Sequence, residues 1–498
     1  MSTDAEGSRP GPEPPPDILE TAAAGPAAVR GGLMRGAAYL VGALAGALSA
    51  RLLFRHLGTI ELGTYGVITS LVAIVNGFTD LGLTAVGVRE AAVVDAHERG
   101  ALLRDLLGFR LLLTTIGIGV MAVVAIFGYT QTVMIGVLIA GVGLLLQVTQ
   151  DNFAISLQVS LRLRAVAALD VLRPLLTVVF VAFLVAVGGH LQAFVAVAVA
   201  VGVVCTTVAY GFVRRERLLR PSLHWQRYRT LLRDILPYSA AVAASSLYYR
   251  VTVLATSAFG TKAEVGYVYA SFRVIEVLTF LPALMIGVAF PIFAHAAHND
   301  RERLGYGLGK VFEVALIVGA WVAVSIAVAA PLIVAFLGSS QFAPASPVLA
   351  IMGIGLGGTF GSILWGNALL SLRRHRAILL INLAALVFAM VAISVLVVLD
   401  GARGAAIGLA TSEIGVGIVS AVVVCRHNRE LRPPLRVVPL VAIAAGVAVV
   451  PLWLDGVPTI LRVCISTAAY FVVLVITRAL PPELSVLLPA RLRWLLRR

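Results

Sequence analysis

Along this chain, apolar residues come in long unbroken blocks separated by short polar stretches. Gly36–Ala50 (GAAYLVGALAGALSA) and Leu113–Gly128 (LTTIGIGVMAVVAIFG) are apolar on every face a helix would present. About 20 such residues cross a hydrocarbon core of about 30 Å. A transmembrane β-barrel would show short segments of alternating polarity instead. The blocks predict fourteen membrane helices, roughly at 32–54, 62–88, 106–128, 132–158, 165–187, 191–213, 234–259, 264–293, 308–336, 344–371, 376–399, 403–424, 435–454 and 458–478. The expected fold class is an all-α polytopic membrane protein.

The polar stretches between the blocks are of two kinds, and they alternate. One kind is basic: RLR at 162–164, RRERLLRPSLHWQRYRTLLR at 214–233, RRHR at 373–376 and RHNRELRPPLR at 426–436. The other is short and nearly free of charge: GYTQT, GGHL, LGSSQFAP and DGVP. With an even number of spans, every basic stretch falls on one side together with both termini. The positive-inside rule makes that side the cytoplasm. Residues 1–31, rich in Pro, Gly and Ala, have no basic start running into an apolar stretch, so they do not read as a signal peptide. A disordered cytoplasmic tail is expected there. At the other end, residues 479–498 contain LLPARLRWLLRR, which suits an interfacial amphipathic segment and equally a solvated basic tail.

The pattern also repeats. LGTIELGTYG (Leu57–Gly66) follows the first span and FGTKAEVGYVY (Phe259–Tyr269) follows the seventh, placing Glu61 and Glu264 203 residues apart. LRLRAVAALD (Leu161–Asp170) is echoed by LRRHRAILLIN (Leu372–Asn382), with Arg164 and Arg376 212 apart. Residues 32–213 and 234–425 are therefore expected to form two six-helix lobes. The basic stretch 214–233 links them, and 435–478 adds two further helices. Six is even, so both lobes share one orientation, as a parallel repeat about an axis along the membrane normal. Two such lobes with a substrate path between them are a transporter plan.

Composition agrees with the membrane assignment. The mean hydropathy is +0.97 and only 13% of residues are charged, against about 25% in soluble domains. The net charge of +14 lies in the short loops, and no soluble basic domain exists to bind nucleic acid. Cys205, Cys425 and Cys464 fall singly on apolar segments, without metal or redox spacing. The histidines lie in or beside loops. No metalloprotease motif, phosphate loop or nucleophile elbow is present, so no enzyme, metal or cofactor is expected.

Candidate chemistry resides in polar residues inside the spans, where each ionisable group is expensive and implies a function by default. In VYASFRVIEVLTFLP (Val268–Pro282), Arg273 and Glu276 interrupt an apolar helix. At about 1.5 Å per residue, Arg273 on the eighth span and Arg250 on the seventh both lie roughly 14 Å from the uncharged turn between them. Two like charges at one depth call for an anion between them. Arg250 has no acid three or four residues away, so its partner must come from another element or a ligand. Arg273 has Glu276 one turn on, and Arg173 on the fifth span has Asp170 one turn back. Each pair reads either as a site or as a self-neutralising clamp. Arg51 lies about 10 Å deep on the first span, where it serves a ligand or snorkels to the interface. Asn76 and Asn367 are further candidates for substrate contact. Asp80, Glu276 and Glu413 are candidates for coupling to H⁺ or Na⁺, a choice the sequence leaves open.

FRHLGTIELGTYGVITSLVAIVNGFTDLGLTAVGVRE (Phe54–Glu90) resembles the opening of the Wzx-type polysaccharide flippases, through Leu57-Gly58, Glu61, Gly63-Thr64-Tyr65 and Arg89. EVGYVYASFRVIEVLTFLPALMIGVAFPIFA (Glu264–Ala294) is similar to the eighth span of that group, and FAPASPVLAIMGIG (Phe342–Gly355) to the tenth. The resemblance implies the fold of the multidrug/oligosaccharidyl-lipid/polysaccharide (MOP) exporters, two six-helix bundles in a V. It implies movement of a polyprenyl-diphosphate-linked glycan to the outer leaflet of the bacterial plasma membrane. Membrane lipids and the glycosyltransferases or polymerase of the same pathway would be its partners. Arg273, ahead of Pro282, stands where lipid II flippases of this superfamily carry an arginine. A lipid II flippase, or an ion-coupled multidrug or metabolite antiporter, are the alternatives. A cation antiporter would need unpaired acids where this chain has arginines. A glycosyltransferase would need larger outer loops than these. Paired guanidinium groups suit diphosphate oxygens geometrically and keep their charge.

Overall fold

The computed structural model describes residues 24–480, apart from 81–82, 94–95, 161, 215–220, 223–224, 288–292, 294–300 and 455. Most of the expected terminal tails and part of the basic linker thus lie outside the described residues. Among those described there is no strand. The helices are α1 (Ala24–Asp80), α2 (Leu83–Val93), α3 (Ala96–Gly128), α4 (Gln131–Val159), α5 (Leu163–Ala186), α6 (Leu191–Val213), α7 (Trp225–Phe259) and α8 (Lys262–Leu278). They continue with α9 (280–287, its described part), α10 (Arg301–Leu337), α11 (Ala345–Ser371), α12 (His375–His427), α13 (Val437–Val449) and α14 (Thr459–Ile476).

Two of these helices are hairpins. α1 leaves helical geometry at Gly58 (φ 67°), and α12 does so at Asp400 (φ −142°) and Gly401 (φ 53°). Both glycines adopt the left-handed region that a side chain disfavours. Beyond Gly401 the chain folds back on itself, with Gly404 against the Leu396 carbonyl and Gly408 against Ile393. In α1, His56 reaches the Gly189 carbonyl at the α5–α6 turn, and Gly42 lies deeper, on Pro174. On the other arm Gly63 meets the start of α8, and Gly77 lies deeper, on Ser246 of α7. Both arms therefore descend from Gly58. Ten described helices are long and apolar enough to cross a membrane. Counting the two hairpins twice gives twelve spans, while α7 and the short apolar segment Val437–Trp453, which stand at the other two of the fourteen expected positions, fall short of that length and apolarity.

The helices outrun the apolar blocks on the basic face. α3 begins at Ala96, α7 at Trp225 and α10 at Arg301, each ahead of its predicted span, and α1 begins at Ala24, inside the expected tail. Hydropathy marks the bilayer, whereas backbone hydrogen bonding continues into water.

Helices α3 to α6 pack together with α1, α5 against its first arm at Gly42 and α3 and α4 against its second at Val75 and Ile68, and α7, α8, α11 and α12 group with α10. The two groups meet largely through α1, which touches α7, α8 and α10. α13 and α14 pack on α10, where Tyr470 donates to the Ile317 carbonyl at 2.8 Å and Ser466 ties α14 to the Ala448 carbonyl at 2.6 Å.

At the uncharged face the lobes cross backbone to backbone. A Cβ on Gly266 would lie 2.1 Å from the Thr59 carbonyl oxygen, and one on Gly63 would lie 2.8 Å from the Lys262 carbonyl oxygen and 3.0 Å from the Gly266 nitrogen. Gly63 and Gly266 are the glycines of the repeated Glu-x-Gly, 203 residues apart. Glu264 of the second copy closes a capping box with Thr261, its Oε2 accepting from the Thr261 backbone N–H at 2.7 Å. Tyr269 packs on Gly66, and its hydroxyl accepts from Thr69 at 3.3 Å.

Candidate functional site

Below this crossing, α7 and α8 carry the two arginines singled out above. Glu276 accepts from both, one per oxygen: Arg250 Nη2 lies 2.8 Å from Oε1 and Arg273 Nη1 lies 2.6 Å from Oε2. The partner that Arg250 requires thus comes from the neighbouring helix. The spacing of three residues puts Glu276 one turn beyond Arg273, on the side facing α7. Arg250 also lies over the Phe272 ring, 5.4 Å from its centroid. Arg273 is the most open of the three, its side chain 47% exposed against 19% for Arg250. One turn before Arg273, Tyr269 meets Tyr65 of α1 edge-on, with ring centroids 6.1 Å apart, so the cluster lies beside the seam between the two groups of helices. Two guanidinium groups and one carboxylate leave a net positive site with unused N–H groups on both forks.

The other candidates lie elsewhere. Arg51 sits at the uncharged face, donating to the Phe336 carbonyl at 3.0 Å and lying over the Phe336 ring at 4.5 Å. Arg55 donates to the neighbouring Ala335 carbonyl at 3.2 Å, so both tie α1 to α10 across the lobes. Arg173 reaches across to α4, donating to Gln147 at 3.1 Å and to Gln150. Asp80 accepts from Arg110 of α3 at 3.0 Å and from Thr84 at 2.5 Å. Asn76 is half-buried, and its carbonyl accepts from Thr79 at 3.3 Å. Asn367 donates back to the Ile363 carbonyl of its own helix at 2.8 Å.

Glu413 has a different setting. It is 5% exposed, and its Oε2 accepts from Thr359 at 3.0 Å and from Ser362 at 3.3 Å. It lines a cavity of about 140 Å³ inside the second lobe, with Ser245, Tyr248 and Asn382 on the facing helices. Among the described residues, no group of three or more His, Cys, Asp and Glu comes together as a metal site. Cys205, Cys425 and Cys464 are free.

Sequence reasoning missed Arg110, which is 1% exposed. Its signal was a lone basic residue just inside the third span, at the same end as Asp80. It missed Tyr248 and Thr359 as neighbours of Glu413, because hydroxyl residues on apolar helices carry no mark of which way they face.

Two groups of helices, most of them long and apolar enough to cross a membrane, thus pack around a carboxylate shared by two arginines. Solved structures share the architecture. The lipid II flippase MurJ in an inward closed conformation superposes with a TM-score of 0.71 at 12% identity, over 90% of this chain and 98% of that one. An inward-facing multidrug resistance MATE family transporter of the MOP superfamily gives 0.63 at 16% identity, over 78% and 95%. A MATE transporter in complex with MaL6 gives 0.52 at 16% identity, over 79% and 96%. No functionally curated protein matches the chain in sequence. The family model described as "Polysaccharide biosynthesis protein" matches residues 28–297, over half of the chain. The chain belongs to the polysaccharide biosynthesis protein family, and it shares the fold of the MurJ and MATE structures.

Proposed function

We propose that this protein moves a polyprenyl-diphosphate-linked oligosaccharide from the cytoplasmic to the outer leaflet of a bacterial plasma membrane, by alternating access between its lobes. The observation that carries this reading is the convergence of Arg250 and Arg273 on one carboxylate beside the seam between the lobes. Bidentate guanidinium groups on two helices match an anion with two charged centres, which a diphosphate is and a drug cation is not. The basic face, holding the 214–233 stretch and both termini, is the cytoplasmic one. Residues 32–213 and 234–425 act as the rocking bodies, and 435–478 as an accessory pair. Glycosyltransferases or a polymerase would supply and consume the glycan.

A second reading, a lipid II flippase, draws on the likeness to MurJ, which extends over 90% of this chain against 78% for the MATE transporter. It uses the same diphosphate chemistry and differs in the sugars. Among the candidates for coupling to H⁺ or Na⁺, Glu413 is favoured. It is buried beside a cavity with only hydroxyl partners, whereas Asp80 and Glu276 are held by arginines.

The test is binding of a labelled prenyl diphosphate to the purified protein, together with flipping in proteoliposomes. Arg250→Ala and Arg273→Ala should each lose both. Flipping that persists in both variants would sink the assignment.

A further inference from the structure

We propose that Glu276 is a resident counter-ion that holds the arginine pair while the site is empty and is displaced by the diphosphate. This rests on the reading above and deepens it, because it makes a protein carboxylate compete with the substrate for the same two guanidinium groups.

The geometry carries the argument. Glu276 spans Arg250 and Arg273 with one oxygen each, at 2.8 and 2.6 Å, as a bridging anionic ligand would. Its side chain is 32% exposed, so it has room to turn away. Arg250 is held against Phe272 and so stays in place when the carboxylate leaves, and Arg273 is the open member that an arriving anion reaches first. Among the described residues, nothing on the opposite lobe repeats the arrangement. The positions 203 residues earlier than Arg273 and Glu276 are Ser70 and Ala73. A clamp serving the architecture alone would have no reason to be confined to one copy.

Competition solves two problems. Two unneutralised arginines in an apolar setting are costly in the empty state, and Glu276 offsets one of them. Two free arginines would also hold a dianion too firmly to let it go. A ligand that must displace a carboxylate binds more weakly, and the returning carboxylate speeds its release. Glu276 is thus a positioning residue that sets affinity and turnover, distinct from the arginines that touch the substrate.

The experiment measures geranylgeranyl diphosphate binding to the purified full-length protein, with geranylgeranyl monophosphate as control. Glu276→Gln should bind the diphosphate about tenfold more tightly than the unsubstituted protein, and flip more slowly because release becomes limiting. Glu276→Asp keeps the charge with a shorter reach, and should fall between the two. Melting temperatures of the same samples establish that each variant is folded. Equal or weaker binding by folded Glu276→Gln, while Arg250→Ala and Arg273→Ala still abolish binding, overturns the exchange and leaves the diphosphate reading intact. Absence of binding in both the unsubstituted protein and Glu276→Gln, or binding that survives loss of both arginines, overturns both. Binding detected only in Glu276→Gln supports the exchange in its strongest form.

Discussion

The two lobes bury charge in opposite ways. In the first, Arg110 is 1% exposed and committed to Asp80, and Arg173 is held by two glutamine side chains on the next helix. In the second, two arginines share one carboxylate at the seam between the lobes, and the more open of them is nearly half exposed. Arg110 also keeps two donors without a hydrogen-bond partner, Nε and Nη1, but they are buried, whereas the donors of Arg273 are open to a visiting anion. A charge inside a membrane protein is therefore informative through the reach of its unused donors, not through its presence alone.

The contrast is broken most severely at Arg110. Arg110→Ala removes the partner of Asp80 and should cost roughly 2–3 kcal/mol, below the range for a fully buried pair because Asp80 is 32% exposed and keeps Thr84. Thermal unfolding in detergent would show it as a sharply lower Tm and poor yield. Arg273→Ala should do the reverse, leaving stability within about 1 kcal/mol of the original while removing diphosphate binding. If the two variants exchanged these phenotypes, the assignment of roles to the lobes would be wrong.

Gly266→Ala comes next, because its Cβ would meet the Thr59 carbonyl oxygen at 2.1 Å and force the lobes apart at the uncharged face. With Cys205, Cys425 and Cys464 replaced by serine, a cysteine at Thr69 should then label faster with an impermeant thiol reagent added outside. Labelling unchanged by the substitution would mean that the crossing gives way elsewhere.

Arg51→Ala should have the smallest effect. It removes one carbonyl hydrogen bond and one ring contact at an exposed position, worth about 1 kcal/mol, with diphosphate affinity unaltered. Loss of binding in that variant would bring Arg51 back into the substrate site.

Much of this was legible in the chain. The all-helical membrane class, the hairpin at Gly58 and the matching level of Arg250 and Arg273 follow from block length, turn glycines and rise per residue. These are one-dimensional quantities that the bilayer converts into height. Azimuth is the quantity the sequence hides. Asp170 and Arg173 look paired by spacing, yet Arg173 extends to Gln147 and Gln150 on α4. Glu413 looks like one more intramembrane acid until the cavity beside it is seen. A hydropathy pattern without polar stripes says little about which way a helix is turned, so facing had to come from packing.

The crossing of Gly63 with Gly266 has the character of an isologous contact, in which the same patch of two related bodies meets itself. In a symmetric dimer such a contact lies on the two-fold axis, and any side chain added there is added twice. Here the two copies sit in one polypeptide and are free to differ. The axis keeps its bare backbone at the glycines, while a few residues further on one copy carries Arg273 and the other carries Ser70. Where the two copies cross they keep bare backbone, and in the walls around that crossing they are unlike.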